Sequence, residues 1–147
     1  MRILIDGDSC NRIETIFHVS KKYNIPVELY CDSSRYYNYS KAATVHYCDV
    51  GKNSADFALI SAVQPGDVVV TNDTGLASMV LSKQAFAINC FGAVFTQSNI
   101  MDFLTTRYIR DIERRKNKRQ KIKGVYAPIG TQGHGSFKEE LERLVKC

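Results

Sequence analysis

The chain has 147 residues, of which 44% are hydrophobic and 10% are aromatic. This composition is typical of a globular domain, and no apolar run approaches the ~18 residues that a membrane-spanning helix needs. We therefore expect neither a disordered nor a membrane-spanning protein, and we predict one domain over residues 1–147. The formal net charge is +5, and nine of the 20 Lys and Arg residues lie between positions 107 and 123.

The five cysteines are widely spaced, and none forms a Cys-x-x-Cys pair. This arrangement favours free thiols in a reducing compartment and argues against a zinc site, because the spacing of metal ligands is absent. The chain also enters an apolar strand pattern directly at its N-terminus, which leaves no room for a signal peptide. We therefore expect a cytoplasmic protein with no membrane partner.

Strand patterns and helical periodicity alternate along the chain. In chain order they predict a strand at 2–5, a helix at 12–23, strands at 27–31 and 44–48, a helix at 55–63, a strand at 68–70, a helix at 74–83, strands at 85–89 and 93–95, a helix from 98 and a last helix at about 137–145. Such alternation predicts crossover connections and therefore an α/β fold with a mainly parallel sheet. The basic segment 107–123 and the C-terminal helix are predicted extensions of the same domain.

Two aspartates follow the apolar run at residues 3–5, namely Asp6 and Asp8. Residues two apart in an extended chain point to the same side, so both carboxylates aim at one point. Two anions this close repel, and a divalent cation with oxygen ligands neutralises them. The alternative is structural: Asp6 ends the strand, and Asp8 or Ser9 caps the following helix.

A second polar strand end follows the all-apolar run at 68–70, which is typical of a central parallel strand. It consists of Thr71, Asn72 and Asp73. Ligands of open α/β sheets bind beyond the carboxyl ends of the strands, so Asp73 comes within reach of the first two aspartates if the strands are neighbours. Asp56, near the start of its helix, is either a further member of this cluster or a residue that complements the helix dipole.

An oxygen-only cluster of this kind predicts a site for Mg²⁺ or Mn²⁺. The predicted metal ligands are Asp6, Asp8 and Asp73, and Asp56 binds the ion directly or through water. Such ions serve phosphoester hydrolysis, because they activate water and stabilise the leaving oxygen.

The basic segment indicates the substrate. Outside residues 107–123 the chain has 11 basic and 13 acidic residues, so the positive charge is one local stripe. A stripe beside acidic metal ligands predicts a polyanion bound through its phosphates, and its alternative is a solvated helix end or a disordered basic loop. The candidate phosphate ligands are Arg107, Arg110, Arg114, Arg115, Lys118 and Arg119. Tyr36, Tyr37 and Tyr39 either stack on bases or pack locally.

Several segments occur in a characteristic order. The apolar-Asp-x-Asp-x-Cys start is followed by Asn-Ser-Ala-Asp at 53–56, Pro-Gly-Asp-Val-Val-Val-Thr-Asn-Asp at 65–73, Leu-Ala at 76–77, Asn-Ile at 99–100 and Leu-Thr-Thr-Arg at 104–107. Together they resemble the bacterial YaiI/YqxD family, an uncharacterised family assigned to the PIN-like nuclease group. The chain departs from the family pattern at Asn11, where proline is usual, and in its richer basic stretch.

The resemblance implies a Rossmann-like, PIN-like three-layer fold and a metal site of clustered aspartates, and it implies nuclease activity by analogy. The corresponding acidic positions are Asp6, Asp8, Asp56 and Asp73. Arg107 corresponds to the arginine that follows the Leu-Thr pair of the family.

These observations together predict metal-dependent hydrolysis of phosphodiester bonds, with RNA favoured over DNA. In this hypothesis Thr71 or Asn72 orients water or phosphate. An aspartate-based phosphatase is one alternative, in which Asp6 is a covalent nucleophile and Asp8 an acid. A non-enzymatic RNA-binding module with a structural acidic cluster is another.

Overall fold

In a computed structural model, the described residues 1–7, 10–32, 43–48, 54–116 and 136–146 form six strands and five helices. The strands are β1 (Ile3–Asp6), β2 (Val27–Asp32), β3 (Thr44–Cys48), β4 (Val68–Val70), β5 (Phe86–Ile88) and β6 (Val94–Phe95). The helices are α1 (Ile13–Tyr23), α2 (Ser54–Ala62), α3 (Thr74–Ser82), α4 (Ile100–Lys116) and α5 (Phe137–Lys146).

The strands form one sheet in the order β3-β2-β1-β4-β5-β6, and all neighbours run parallel except β5 and β6. Ile3 of β1 pairs with Val27 of β2 on one side and with Val68 of β4 on the other. The predicted α/β class with a mainly parallel sheet is therefore confirmed. β6 returns from β5 through a short turn, which only an antiparallel strand can do.

Side chains of β1 alternate between the two faces of the sheet, as expected for an extended strand. Ile3 and Ile5 pack with residues of α1 and α5, whereas Leu4 packs with residues of α2, α3 and α4. All three residues of β4 are fully buried, as predicted for a central strand. Helices cover both faces of the sheet, so the three-layer Rossmann-like architecture is also confirmed.

A polar network ties together the amino ends of β1 and β4. The Arg2 guanidinium donates to Asp67 Oδ2 at 2.8 Å and also pairs with Glu28. The Asp67 side chain is 5% exposed, and its carboxylate accepts from the backbone N–H groups of Arg2 at 3.1 Å and Gln64 at 3.0 Å. The hydrogen bond that Arg2 donates to Asp67 raises the pKa of Arg2, as do the negative charges of Asp67 and Glu28, so the guanidinium stays cationic.

Element ends agree with the predicted ends to within two residues, and the bounds of β3 and β4 are identical to the predicted ones. β1 extends to Asp6 instead of residue 5, because Gly7 N–H donates to the Tyr30 carbonyl at 2.8 Å and prolongs the ladder with β2. α4 begins at Ile100 instead of 98, because Thr96 and Asn99 first exchange side-chain-to-backbone hydrogen bonds in a capping turn. None of the described helices is long and apolar enough to cross a membrane.

Candidate active site

The connections after β1 and β4 diverge at the carboxyl edge of the sheet. The two strands are neighbours, but α1, which follows β1, covers one face, and α3, which follows β4, covers the other. This divergence opens a crevice beyond the strand ends, which is where open α/β sheets bind ligands. Because β1 and β4 are neighbours, as the prediction for Asp73 requires, Asp73 lies at the same edge of the sheet as the end of β1.

A chain of hydrogen bonds joins the ends of β1 and β4. The Thr71 hydroxyl donates to Asp6 Oδ2 at 2.8 Å and accepts from the Asp73 backbone N–H at 3.0 Å. Asp6 and Thr71 are both buried, with 4% and 0% of their surfaces exposed. Thr71 therefore fixes the Asp6 carboxylate relative to the start of α3.

Asp73 is also the N-cap of α3, a role not expected from the sequence. Its Oδ1 accepts from the backbone N–H groups of Gly75 at 2.9 Å and Leu76 at 3.2 Å. The same oxygen accepts from Arg107 Nη1 at 3.1 Å. The side chains of Asp73 and Arg107 are 33% and 56% exposed, so this ion pair is accessible to solvent.

A small cleft of 230 Å³ brings Asp56 together with Asp73 and Arg107. Phe57 and Met79 supply exposed apolar surface in the same lining. Asp56 also lies in the first turn of α2, where its charge complements the helix dipole. Both interpretations of this residue are therefore compatible with its position.

A larger cleft of 410 Å³ adjoins the small one, and the two share the ion pair of Asp73 and Arg107. Its lining consists of Asn72, Asp73, Thr74, Asn89, Phe91, Phe95, Phe103, Thr106, Arg107 and Arg110. Phe95 and Phe103 are buried, with ring centroids 4.8 Å apart in an edge-to-face contact. The cleft thus joins an aromatic interior to a cationic rim.

The turn after β5 is tied to the other strand ends. Asn72 Oδ1 accepts from the Cys90 backbone N–H at 2.9 Å, so this predicted substrate ligand also positions the turn.

A hydrogen bond from the Cys10 thiol lowers the pKa of Cys90 to about 7, and the same contact raises the pKa of Cys10. It links the loop after β1 to the end of β5. The four described cysteines, including this pair, are free thiols, as predicted.

Gly7 lies where the chain leaves β1 and has no space for a side chain. A Cβ at this position would lie 2.9 Å from the Tyr30 carbonyl oxygen and 3.1 Å from both Cys31 Cβ and Leu29 Cδ1. The absence of a side chain lets the backbone approach β2 directly after Asp6. Gly7 therefore supports the position of the Asp6 carboxylate.

We expect Gly7→Ala to destabilise the fold by roughly 1–3 kcal/mol, because the added methyl group overpacks against backbone. Urea unfolding of the variant and the wild type measures this loss. Asn11→Ala is the matched control, since Asn11 is exposed in the same loop. Equal unfolding midpoints for Gly7→Ala and Asn11→Ala would contradict the packing argument.

Some predicted site residues lie outside the described part of the chain. They are Asp8, Lys118, Arg119, Tyr36, Tyr37 and Tyr39.

Of the other predicted phosphate ligands, Arg107 and Arg110 line the larger cleft, and Arg114 and Arg115 are exposed in the last turn of α4. Arg107, Arg110 and Arg114 are spaced at i, i+3 and i+7, so they share one face of that helix.

The donors at the crevice suit a hard cation. Asp6, Thr71, Asp73 and Asp56 offer only oxygen atoms, which Mg²⁺ and Mn²⁺ prefer. Among the described residues, no group of three or more His, Cys, Asp or Glu side chains is placed to hold a metal ion. The described residues therefore do not form a metal site by themselves, and the predicted ligand Asp8 lies outside them.

Sequence reasoning did not foresee the aromatic side of the larger cleft. Phe91, Phe95 and Phe103 line it, and so does Asn89 at the end of β5. Ligands of open α/β sheets bind beyond the carboxyl ends of strands, and the residues that follow β5 in this position are Asn89 and Phe91. The end of β5 is therefore the sequence signal for this side of the cleft.

The strand order and the acidic crevice beyond β1 and β4 define this protein as a Rossmann-like α/β protein with a candidate site at its topological switch point. The model of the family described as "Uncharacterized BCR, YaiI/YqxD family" matches residues 4–147. The chain therefore belongs to the YaiI/YqxD family, as its motifs predict.

Relatives named "UPF0178 protein" are similar to this chain over most of their length. The relative from Clostridium kluyveri is 40% identical over 121 residues, which cover 81% of this chain and 78% of the relative. The relative from Clostridium acetobutylicum is 36% identical over 124 residues, with coverages of 84% and 83%. The relative from Exiguobacterium sibiricum is 37% identical over 145 residues, with coverages of 99% and 96%. No solved structure matches the chain.

Proposed function

We propose that this protein hydrolyses phosphodiester bonds of RNA with the help of Mg²⁺ or Mn²⁺. The observation that carries the proposal is the hydrogen-bonded chain from Asp6 through Thr71 to Asp73, which continues to Arg107. Carboxylates hold a hard cation, and arginine binds phosphate in a charge-assisted way. Phosphoryl transfer depends mainly on positioning and charge stabilisation, which such a set of groups supplies.

The proposed metal ligands are Asp6, Asp8 and Asp73, and Asp56 acts directly or through water. A bound ion supplies an activated water and stabilises the leaving oxygen. Thr71 is a positioning residue, because its hydroxyl holds Asp6 Oδ2 at 2.8 Å. The two helix N–H groups that Asp73 caps orient its carboxylate in the same way.

Arg107 is the proposed first phosphate ligand. It borders both clefts and pairs with Asp73, but more than half of its side chain is exposed. An ion pair this exposed contributes only about 0–1 kcal/mol, so a phosphate can replace Asp73 as the partner of Arg107 at little cost. Arg110 and Arg114 continue the same helix face, which suits the successive phosphates of a polymer.

We expect Mn²⁺ to bind to the wild-type protein and to raise its stability by about 2.7 kcal/mol at an ion concentration about 100 times the Kd. The physical reason is that the cation relieves the repulsion among the proposed ligands Asp6, Asp8 and Asp73. Titration calorimetry measures the binding, and thermal unfolding with and without the ion measures the stabilisation. Asp73→Asn is expected to lose most of this rise.

The reaction is tested with labelled single-stranded and structured RNAs, the corresponding DNAs and a generic phosphomonoester, all in Mn²⁺. Cleavage of RNA with little turnover of the phosphomonoester is the expected result. Phosphomonoester turnover with a trapped aspartyl-phosphate would replace the proposal with the phosphatase, since water activated by metal forms no covalent intermediate. RNA binding without any cleavage would replace it with a binding module. No calorimetric signal at millimolar Mn²⁺ would remove the metal site.

A further inference from the structure

The turn after β5 presents an aromatic ring to solvent at the larger cleft. Phe91 is 63% exposed, although the turn that carries it is firmly held. The buried Asn89 side chain accepts from the backbone N–H groups of Phe91 at 3.0 Å and Ala93 at 2.9 Å. Because the turn is held by these bonds, packing does not require an exposed aromatic ring there. The exposed face of Phe91, fixed at the edge of the larger cleft, is available to stack on a ligand.

The rest of the cleft has the chemistry of a site for a nucleotide. Phe95 and Phe103 form a buried aromatic floor, and Arg107 and Arg110 lie in the same lining. Its volume of 410 Å³ falls within the range of about 300–1,000 Å³ that is typical of small-ligand sites. The aromatic rings suit a flat base, and the two arginines suit the phosphates to which that base is joined.

One buried polar atom in this lining also lacks a partner. Thr74 Oγ1 is buried and has no hydrogen-bond partner among the described residues. Buried hydroxyl groups in native proteins are normally hydrogen-bonded, so this atom calls for an explanation. A rotation of the Thr74 side chain that turns this hydroxyl into the cleft would let it bond to the polar edge of a base.

We propose that the larger cleft binds one unpaired base of a single-stranded RNA, stacked on Phe91, while Arg107 and Arg110 bind the adjoining phosphates. The inference rests on the proposed nuclease function, because Asp73 and Arg107 border both this cleft and the smaller one. Bases of a duplex are paired and stacked on one another, so they do not enter such a cleft. The site therefore selects single strands.

The chain contains no tryptophan, so Phe91→Trp introduces a single tryptophan at the site, which can be excited apart from the eight tyrosines. We expect its emission to fall when a short oligouridylate is added in EDTA, where no metal-dependent cleavage takes place. Neither a duplex of the same length nor an abasic strand is expected to change the emission to the same extent. Phe86→Trp is the matched control, because Phe86 is an exposed ring at the opposite end of β5.

A second, independent measurement uses alanine variants that carry no tryptophan. Fluorescence anisotropy of a labelled oligonucleotide measures their affinity for RNA. Phe91→Ala is expected to weaken binding roughly 5- to 100-fold, and Phe86→Ala is expected to leave it unchanged. Equal quenching by the abasic strand, equal quenching by the duplex, or wild-type affinity in Phe91→Ala would overturn the base site. Base-dependent quenching without any cleavage in Mn²⁺ would support the base site and reject the nuclease. Cleavage with no base-dependent quenching would do the reverse.

Discussion

Asp6→Asn is expected to reduce Mn²⁺-dependent RNA cleavage by roughly 100- to 1,000-fold, since metal ions contribute several kcal/mol of charge stabilisation and each 1.36 kcal/mol is a tenfold change in rate. The substitution removes a negative charge but keeps the shape of the side chain. Its amide oxygen still accepts the hydrogen bond that the Thr71 hydroxyl now donates to Asp6 Oδ2. Single-turnover cleavage of a labelled RNA measures the effect.

A structural role for Asp6 predicts a different outcome. If the carboxylate served only to hold β1 and β4 together, Asp6→Asn would lower the unfolding temperature and leave cleavage by the folded protein intact. We expect the opposite: the unfolding temperature without metal does not fall, because the buried side chain of residue 6 becomes neutral while its oxygen keeps the hydrogen bond from Thr71. Asp102→Asn is the charge-matched control, since Asp102 is exposed in the first turn of α4 and lies outside the basic segment 107–123. Cleavage by Asp6→Asn at the rate of this control would reject the assigned role.

Asp67→Ala is expected to destabilise the fold by roughly 3–5 kcal/mol, because it breaks a buried ion pair and leaves buried donors without partners. Asp67 accepts hydrogen bonds from the backbone N–H groups of Arg2 and Gln64 and from the Arg2 guanidinium. For a chain of this length the loss corresponds to a fall in Tm of roughly 6–20 °C. Thermal and urea unfolding both measure it.

Two further variants test this assignment. The backbone N–H groups of Arg2 and Gln64 bond to different oxygens of Asp67, so Asp67→Asn keeps an acceptor for only one of them and also removes the ion pair with Arg2. A loss smaller than that of Asp67→Ala but larger than that of an exposed substitution is expected. Asp111→Ala removes an exposed carboxylate and is expected to change stability little. If Asp67→Ala unfolds at the same urea concentration as Asp111→Ala, the network at the amino ends of the strands does not stabilise the fold.

Local periodicity determined much of the fold from the sequence. The apolar run at residues 3–5 indicated a strand, and the run at 68–70 indicated a central strand, because apolar side chains on both faces of a strand require cover on both faces. The same reasoning placed Asp6 and Asp73 at carboxyl strand ends. The family followed from the order of several motifs, which spans most of the chain.

Only the tertiary structure decided which strands are neighbours and which side chains meet. Thr71 donates to a residue 65 positions earlier in the chain, and Arg107 donates to a residue 34 positions earlier. Such contacts depend on the strand order and on the packing of helices against each face, which no local pattern encodes. The same is true of Phe91, whose exposure at a cleft results from a turn held by Asn89 and Asn72. The sequence therefore specified the elements and their strand-end carboxylates, whereas long-range packing built the clefts between them.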